Sequence, residues 1–332
     1  IRYAAQANTE PISFIANGDM TGFEMDVLTR FCQEYGYGLQ VTEAEISGIL
    51  AGVTGGKYDL GGGAMAITEE RKQSVDFSES FYSYGQWIIV RALPGGESPA
   101  GESRVSLWQE LRQSFYKNFI KENRWQMIVS GMGVTLTISV FSALFGTIFG
   151  FGVCMLRLRK NRTAAGLARG FVRLIQGLPL VVFLMVLYYV VFGSSDINAV
   201  IVAIIGFSIN FGVYVSEMMR TGIQAVDKGQ IEAALALGYS KGQTFRKVTF
   251  PQAARHFLPV YKGEFISMVK MTSIVGYIAI QDLTKVSDII RSRTYEAFFP
   301  LIATALIYFL LSWALTALLN LMEIRVDPQR RS

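Results

Sequence analysis

The apolar half of this chain carries a few polar side chains where hydrocarbon is expected. Asn210 and Tyr214 stand one helical turn apart, and Glu217 and Arg220 follow them. Lys270, Thr272 and Ser273 interrupt a later apolar stretch. Polar groups at membrane depth are costly, so they mark a candidate path for a polar solute. A plainer reading competes with this one. Thr272 and Ser273 can bond their own helix backbone, and Glu217 and Arg220 can pair at i,i+3. Covalent chemistry has no comparable set of residues. Neither a nucleophile–base pair nor a metal-ligand cluster stands out, and the one histidine, His256 beside Arg255, reads as interfacial. The nearest approach to a phosphate-cradling G-x-x-x-x-G-K-[S/T] loop is AGVTGGKY, 51–58. It has Ala51 for the first glycine and Tyr58 for the hydroxyl, so it is rejected.

A second set of residues suits mechanical rather than chemical work. Residues 230–259 read QIEAALALGYSKGQTFRKVTFPQAARHFLP. Gln230–Leu237 is rich in alanine and leucine, which favours helix, with Ile231, Ala234 and Leu235 on one face. Gly238 is placed to end that helix. Ser240 and Gln243 fit a capping box for a second helix, Lys241–Thr249, with Phe245 and Val248 on its apolar side. Pro251 is expected to interrupt it. The alternative is a loop that only connects two spans. A DNA-binding helix-turn-helix is excluded, because the tether to two spans would hold both helices at the bilayer.

The elements around these residues follow from composition. Half of the 332 residues, 51%, are apolar and only 17% are charged, which leans toward a membrane protein. Residues 1–124 hold 11 Lys/Arg and 16 Asp/Glu, and residues 125–332 hold 20 and 10. This split reports membrane orientation, not nucleic-acid binding. Met127–Leu156, Leu174–Ser195, Ile197–Ser216 and Ala297–Met322 are uncharged runs of 30, 22, 20 and 26 residues. Each is long enough to span a bilayer. Phe257–Gln281 is a fifth candidate, despite Lys262, Glu264 and Lys270. The basic segment 157–173 reads as cytoplasmic. Five spans then put the N-terminus outside and 217–256 and the C-terminal tail inside. Cys32 and Cys154 fall in different regions, so no disulfide framework is expected. The chain begins at Ile1 without Met or a signal peptide, which reads as a processed chain or a fragment.

Residues 1–93 read as soluble α/β. Strand candidates lie in IRYAAQ, GLQVTEA, the segment after GGKYD, and YGQWIIVRA. A helix shows periodicity through Phe23, Val27, Leu28 and Phe31 and stops at Gly36. Alternation of strand and helix favours a parallel sheet. Residues 94–124 join a Gly/Pro/Ser-rich linker to an amphipathic helix suited to a membrane surface.

Four motifs carry a family resemblance. EAALALGYSKGQTFRKVTFPQA, 232–253, resembles the EAA loop of ABC-importer permease subunits. QGLPLVVFLMVLYYVVFG, INFGVYVSEMMRTGIQAVDKGQ and FISMVKMTSIVGYIAIQDLT resemble the second, third and fourth spans of the polar amino-acid branch, the transporters for histidine, glutamine, glutamate, arginine and opines. The resemblance covers roughly 125–328. It implies a helical membrane fold of about five spans, the type I importer permease fold, in the bacterial cytoplasmic membrane. It implies that the loop 227–251 docks in a separate ATPase and that ATP and magnesium belong to that subunit, with no cofactor in this chain. Glu232, Ala233, Ala234, Gly238, Phe245 and Pro251 are the implied coupling residues. Ala233 and Ala234 permit close approach, and Glu232 can anchor by charge-assisted hydrogen bonds. Two permease copies, alike or related, are expected around the path. Asn210, Tyr214, Glu217, Lys270, Thr272 and Ser273 would then face an amino acid. The family's K-D-T-S reads Lys270-Met271-Thr272-Ser273 here, without the acid.

Residues 1–93 resemble part of lobe one of a periplasmic amino-acid-binding protein, through PISFIANGDMTGFEMDVLTRF, GGKYDLGGGAMAITEERKQSVDFSESFY and GQWIIVRA. The likeness implies that Arg71 holds a ligand carboxylate, Ala64, Ala66 and Thr68 add hydrogen bonds, and Phe14 packs on the ligand. The second lobe of such proteins is absent from this stretch. A complete, separate solute-binding protein is thus a further candidate partner. Two rival readings are a ligand-gated channel and a membrane-anchored amino-acid sensor. V-G-Y at 275–277 faintly echoes a potassium filter, but the full filter pattern is not met. A sensor needs only one or two spans.

Overall fold

The structure is a computed structural model that describes residues 1–16, 19–82, 107–195, 197–294 and 296–326. The expected strand YGQWIIVRA and the linker 94–104 lie outside the described residues, as does the tail beyond 326.

The N-terminal region runs β1 (Arg2–Ala5), β2 (Asn8–Thr9), β3 (Ser13–Ala16), β4 (Asp19–Thr21), α1 (Phe23–Tyr35), β5 (Gln40–Glu43), α2 (Ile46–Thr54), β6 (Leu60–Gly62) and α3 (Glu69–Lys72). A parallel sheet forms in the order β5-β1-β6, with Tyr3 opposite both Val41 and Leu60. The antiparallel meander β2-β3-β4 was not foreseen from sequence. Gly36 does end α1, in the left-handed conformation (φ 72°) that glycine adopts without steric cost. The face of α1 differs from the periodic reading. Phe23, Val27 and Phe31 point outward, while Glu24, Met25 and Cys32 are buried. Glu24 turns inward because it accepts the Gly63 N–H at 2.7 Å.

The rest is helical. α4 (Leu107–Phe115) continues through a π turn to Ile120 and a 3-10 turn to Asn123. Glu122 and Asn123 have positive φ, which breaks the axis before α5 (Arg124–Leu158). Then come α6 (Arg162–Gly177), α7 (Leu180–Met185) with a π segment to Val191, and α8 (Ala199–Gln224). α9 (Lys228–Ala236), α10 (Lys241–Thr244), a π segment (Phe245–Thr249) and α11 (Phe250–Met271) follow. A 3-10 segment to Ile278, α12 (Leu283–Thr294) and α13 (Phe298–Val326) complete the chain.

Among the described residues, three helices are long and apolar enough to cross a membrane, and two bent pairs bring the number to five when each pair is one span. The second run is not straight. α6 and the 180–191 segment meet at 105°, at Leu178-Pro179. Proline disfavours helix at the residue before it, so the chain turns there. The basic segment 157–173 is therefore mostly the helix α6, whose Ala165, Ala168, Val172 and Ile175 are buried.

The core lies where α5, α8 and α11 meet, around Ile138, Phe207, Phe211, Val215, Met268 and Val269. Lipid tails are as apolar as leucine, so helices here associate through close packing of small residues. Gly146 and Gly150 of α5 meet Gly212 of α8 in this way. Ala4, Ala44, Ile49 and Tyr58 of the N-terminal lobe belong to the same apolar cluster as Leu184 and Tyr188, so the lobe is seated on the helices.

Candidate coupling and substrate sites

The EAA segment is a helix–turn–helix. Asp227 caps α9, accepting the Gly229 N–H at 2.6 Å. Gly238 takes φ +84° and turns the chain. Ser240 and Gln243 form both halves of the capping box, at 3.3 and 2.9 Å. Ala234 is buried against the segment that follows, while Glu232, Ala233, Leu235 and Leu237 are exposed. Leu237 is 81% exposed and Tyr239 39%. The exposed apolar tip at Leu237 was not singled out from sequence, although an unpaired leucine beside the glycine turn was the available signal.

Pro251 does not interrupt the second helix. The backbone stays helical from Lys241 through the π segment into α11. Proline removes one donor and its ring crowds the preceding turn. The wider π turn just before it, in which the Phe250 N–H reaches the Phe245 carbonyl, makes room for the ring. The result is one helical rod from the coupling turn to Ile278. It is packed closely on α8, since a Cβ on Gly222 would lie 2.9 Å from the Ala253 carbonyl oxygen. Phe245, Phe250 and Phe257 step along the rod with ring centroids 5.9 and 6.2 Å apart.

The polar residues of the spans separate into two groups. Glu217 binds Arg157 of α5 at 2.6 Å and also pairs with Arg220. Arg157 counted only as part of a basic segment in the sequence, yet it ties the ends of α5 and α8 together. Thr272 is fully buried and its hydroxyl donates to the Val269 carbonyl at 2.7 Å. Asn210 is buried, Tyr214 and Ser273 are half-buried, and Lys270 is exposed.

In the lobe, Ala64 and Ala66 line a 560 Å³ cleft with Glu24, Ile49 and Phe81. Ala64 has φ 55°. Arg71 donates to the Ala66 carbonyl at 2.8 Å, and its N–H meets Thr68 Oγ1 at 3.3 Å. Ala66, Thr68 and Arg71 thus stand together, while Ala64 shares only the cleft with Ala66. Phe14 lies on β3, and Ile12 is the residue of that region lining the cleft. Arg71 faces a second opening, shared with Leu50, Gly55 and Tyr189.

Sequence reasoning missed the joint between lobe and helices. Lys57 is buried, sits 3.9 Å from the centroid of the Tyr188 ring and donates to the Phe192 carbonyl at 3.3 Å. Tyr58 and Tyr188 share a hydrogen bond of 2.9 Å. Gln281 donates to Glu43 at 2.6 Å, and Lys285 pairs with Glu45. Burial raises the Glu43 pKa, and Lys285 and Gln281 oppose that shift. Lys57, Tyr58, Tyr188, Phe192 and Gln281 lie within motifs that carry the family resemblances, but nothing in those motifs pairs the lobe with the helices.

Comparison with known proteins places these features. Residues 142–328 match the family "Binding-protein-dependent transport system inner membrane component". Residues 1–164 match "Bacterial extracellular solute-binding proteins, family 3". The nopaline transport system permease protein NocM of Agrobacterium fabrum is 33% identical over 62% of this chain and 90% of its own. A putative glutamine transport system permease protein GlnP of Rickettsia felis is 34% identical over 59% and 91%. The crystal structure of an amino acid ABC transporter with histidines superposes with a TM-score of 0.57 at 32% identity, covering 67% of this chain and all of that one. The MetNI methionine ABC transporter, at 19% identity and a TM-score of 0.54, shares the fold. The chain belongs to the binding-protein-dependent transport system inner membrane component family, as a multi-pass membrane transport subunit and not an enzyme.

Proposed function

We propose that this chain is the permease of an ATP-driven amino-acid importer. The observation that carries the proposal is the α9–Gly238–α10 element, whose exposed tip continues into the rod packed on α8. Glu232, Ala233, Ala234, Gly238 and Phe245 form the element that a separate ATPase grips, and Pro251 sits at the start of the rod behind it. A continuous rod packed on α8 passes displacement of the tip to the spans. ATP and magnesium are bound by that ATPase. The NocM and GlnP likenesses and the amino acid transporter structure support an amino-acid substrate.

The N-terminus lies outside and the α9–α10 element inside, as the basic residues of 157–173 and 217–256 require. A second permease copy, identical or related, completes the path, because five spans fall short of a translocation pathway alone. Asn210, Tyr214, Lys270, Thr272 and Ser273 are the path residues of this reading, and Glu217 is the one tied into ion pairs. The lobe of 1–93 is a tethered partial solute-binding unit whose ligand residues are Ala64, Ala66, Thr68 and Arg71, with Phe14 as the residue that would pack on the ligand. A separate solute-binding protein is a further partner at this outer face.

The test is reconstitution with the ATPase in liposomes, measuring amino-acid uptake and substrate-stimulated ATP hydrolysis together. Glu232→Arg and Gly238→Trp are expected to abolish coupled uptake in a folded complex. Wild-type uptake in both variants would refute the coupling assignment.

A further inference from the structure

Arg71 has room beside its guanidinium and no carboxylate on it. Nη1 donates to the Ala66 carbonyl at 2.8 Å, while Nε and Nη2 have no partner among the described residues. The acid two positions away is already taken, since Glu69 pairs with Lys72 at 2.7 Å. Arg71 is half-buried and lines an opening of 700 Å³. Small-molecule sites span about 300–1,000 Å³. Nε and Nη2 are the side edge of a guanidinium, which receives a carboxylate in two parallel hydrogen bonds.

Both parts of the chain supply walls to this opening. Thr54, Gly55 and Ser74 line it from the lobe, and Tyr189 and Val190 line it from the outer end of the second span. The helical wall is pinned. Tyr189 is 8% exposed and donates to the Tyr277 carbonyl at 3.1 Å. α2 lies directly on it, since a Cβ on Gly48 would meet the Tyr189 hydroxyl and one on Gly55 would lie 3.5 Å from the Tyr189 carbonyl oxygen. The opening also has two ends of opposite sign. Arg71 is positive, and the last turn of α2 is the negative end of its helix dipole. Thr54 Oγ1 stands at that end, where it donates to the Leu50 carbonyl at 2.9 Å and keeps lone pairs to accept from an ammonium.

We propose that Arg71, Thr54, Tyr189 and Val190 form a site for a zwitterionic amino acid between the lobe and the second span. Arg71 holds the α-carboxylate through Nε and Nη2. Thr54 and the end of α2 take the α-ammonium, and the side chain lies along Leu50 and Val190. The outer end of the second span thus serves as the second wall that the lobe itself lacks. The site rests on the lobe being a solute-binding unit, and it makes a membrane helix part of that unit.

The probe is an equimolar mixture of the proteinogenic L-amino acids, read by saturation-transfer NMR. The full chain with its ATPase is held in nanodiscs of phosphatidylcholine alone, so that no anionic headgroup competes for Arg71. The expected result is saturable transfer to one or more amino acids, weaker by at least about tenfold in Arg71→Met and in Val190→Trp. Val190 is 73% exposed, so tryptophan fills the opening there without disturbing the core. Val191→Trp is the control, because Val191 is 56% exposed and does not line the opening, and transfer should be unchanged. Full transfer in Arg71→Met or in Val190→Trp would overturn the site. If transfer survives Val190→Trp but falls in Ala66→Trp, which blocks the cleft, the lobe remains a solute-binding unit without the helical wall. Transfer that survives all three variants, or is absent from the wild type, removes the solute-binding role of the lobe as well.

Discussion

Gly150 of α5 faces Gly212 of α8 so closely that a Cβ on Gly150 would lie 2.4 Å from the Gly212 carbonyl oxygen. The reverse contact is as tight, with a Cβ on Gly212 2.7 Å from the Gly146 carbonyl oxygen. Neighbouring backbone cannot yield as a side chain end can. Gly150→Leu or Gly212→Leu should therefore force the helices apart and cost at least about 1–3 kcal/mol. The check is thermal unfolding in detergent, with Gly152→Leu as control, since nothing lies within 4 Å of a Cβ there.

The coupling tip should be separable from the fold. Leu237 is 81% exposed and makes no buried contact to lose. Leu237→Asp should leave the melting temperature of the isolated chain unchanged and weaken ATPase docking at least tenfold, read by titrating the ATPase onto immobilised chain. Gly238→Val acts differently. It strains a position at φ +84° by about 1–2 kcal/mol, so uptake and local order should fall together.

The capping box makes a graded prediction. Ser240→Ala removes the acceptor for the Gln243 N–H and should cost about 1 kcal/mol locally. Faster amide hydrogen exchange over 240–245, with slowed but not abolished uptake, is the expected pattern.

An aromatic hydrogen bond and a buried lysine are among the contacts that seat the lobe. Tyr58→Phe removes the bond to Tyr188 and should cost about 0.5–1.5 kcal/mol. Lys57→Ala removes the contact over the Tyr188 ring as well as the bond to Phe192. Either change should speed hydrogen exchange in α2 while α8 stays protected.

Acid should loosen the lobe in a defined window. Hydrogen bonds from the Arg2 side chain and backbone hold the Asp59 pKa down at about 2, below its ordinary 3.8. A depressed carboxylate stabilises the fold above its unfolded pKa and loses that contribution as pH falls through the folded one. Lobe stability should drop between about pH 4 and pH 2, and Asp59→Asn should flatten that part of the profile. Circular dichroism of the chain against pH measures both.

The sequence by itself determined much of this protein. Long uncharged runs require spans because a buried backbone without water must bond internally. Gly238, Ser240 and Gln243 specify the turn between α9 and α10 through local backbone preferences alone, so their geometry was legible in ten residues. A parallel sheet likewise followed from the alternation of strand and helix, while its order β5-β1-β6 came from the structure. Tertiary structure decided what depends on distant neighbours. Pro251 lies within a helix because the π turn before it absorbs the ring. Phe23, Val27 and Phe31 point outward because Glu24 has a buried donor to satisfy. Arg157 reaches Glu217, and Lys57 reaches Tyr188, across 60 and 131 positions of chain. Pairings of that kind depend on how folded surfaces meet, and no local pattern of residue types encodes them.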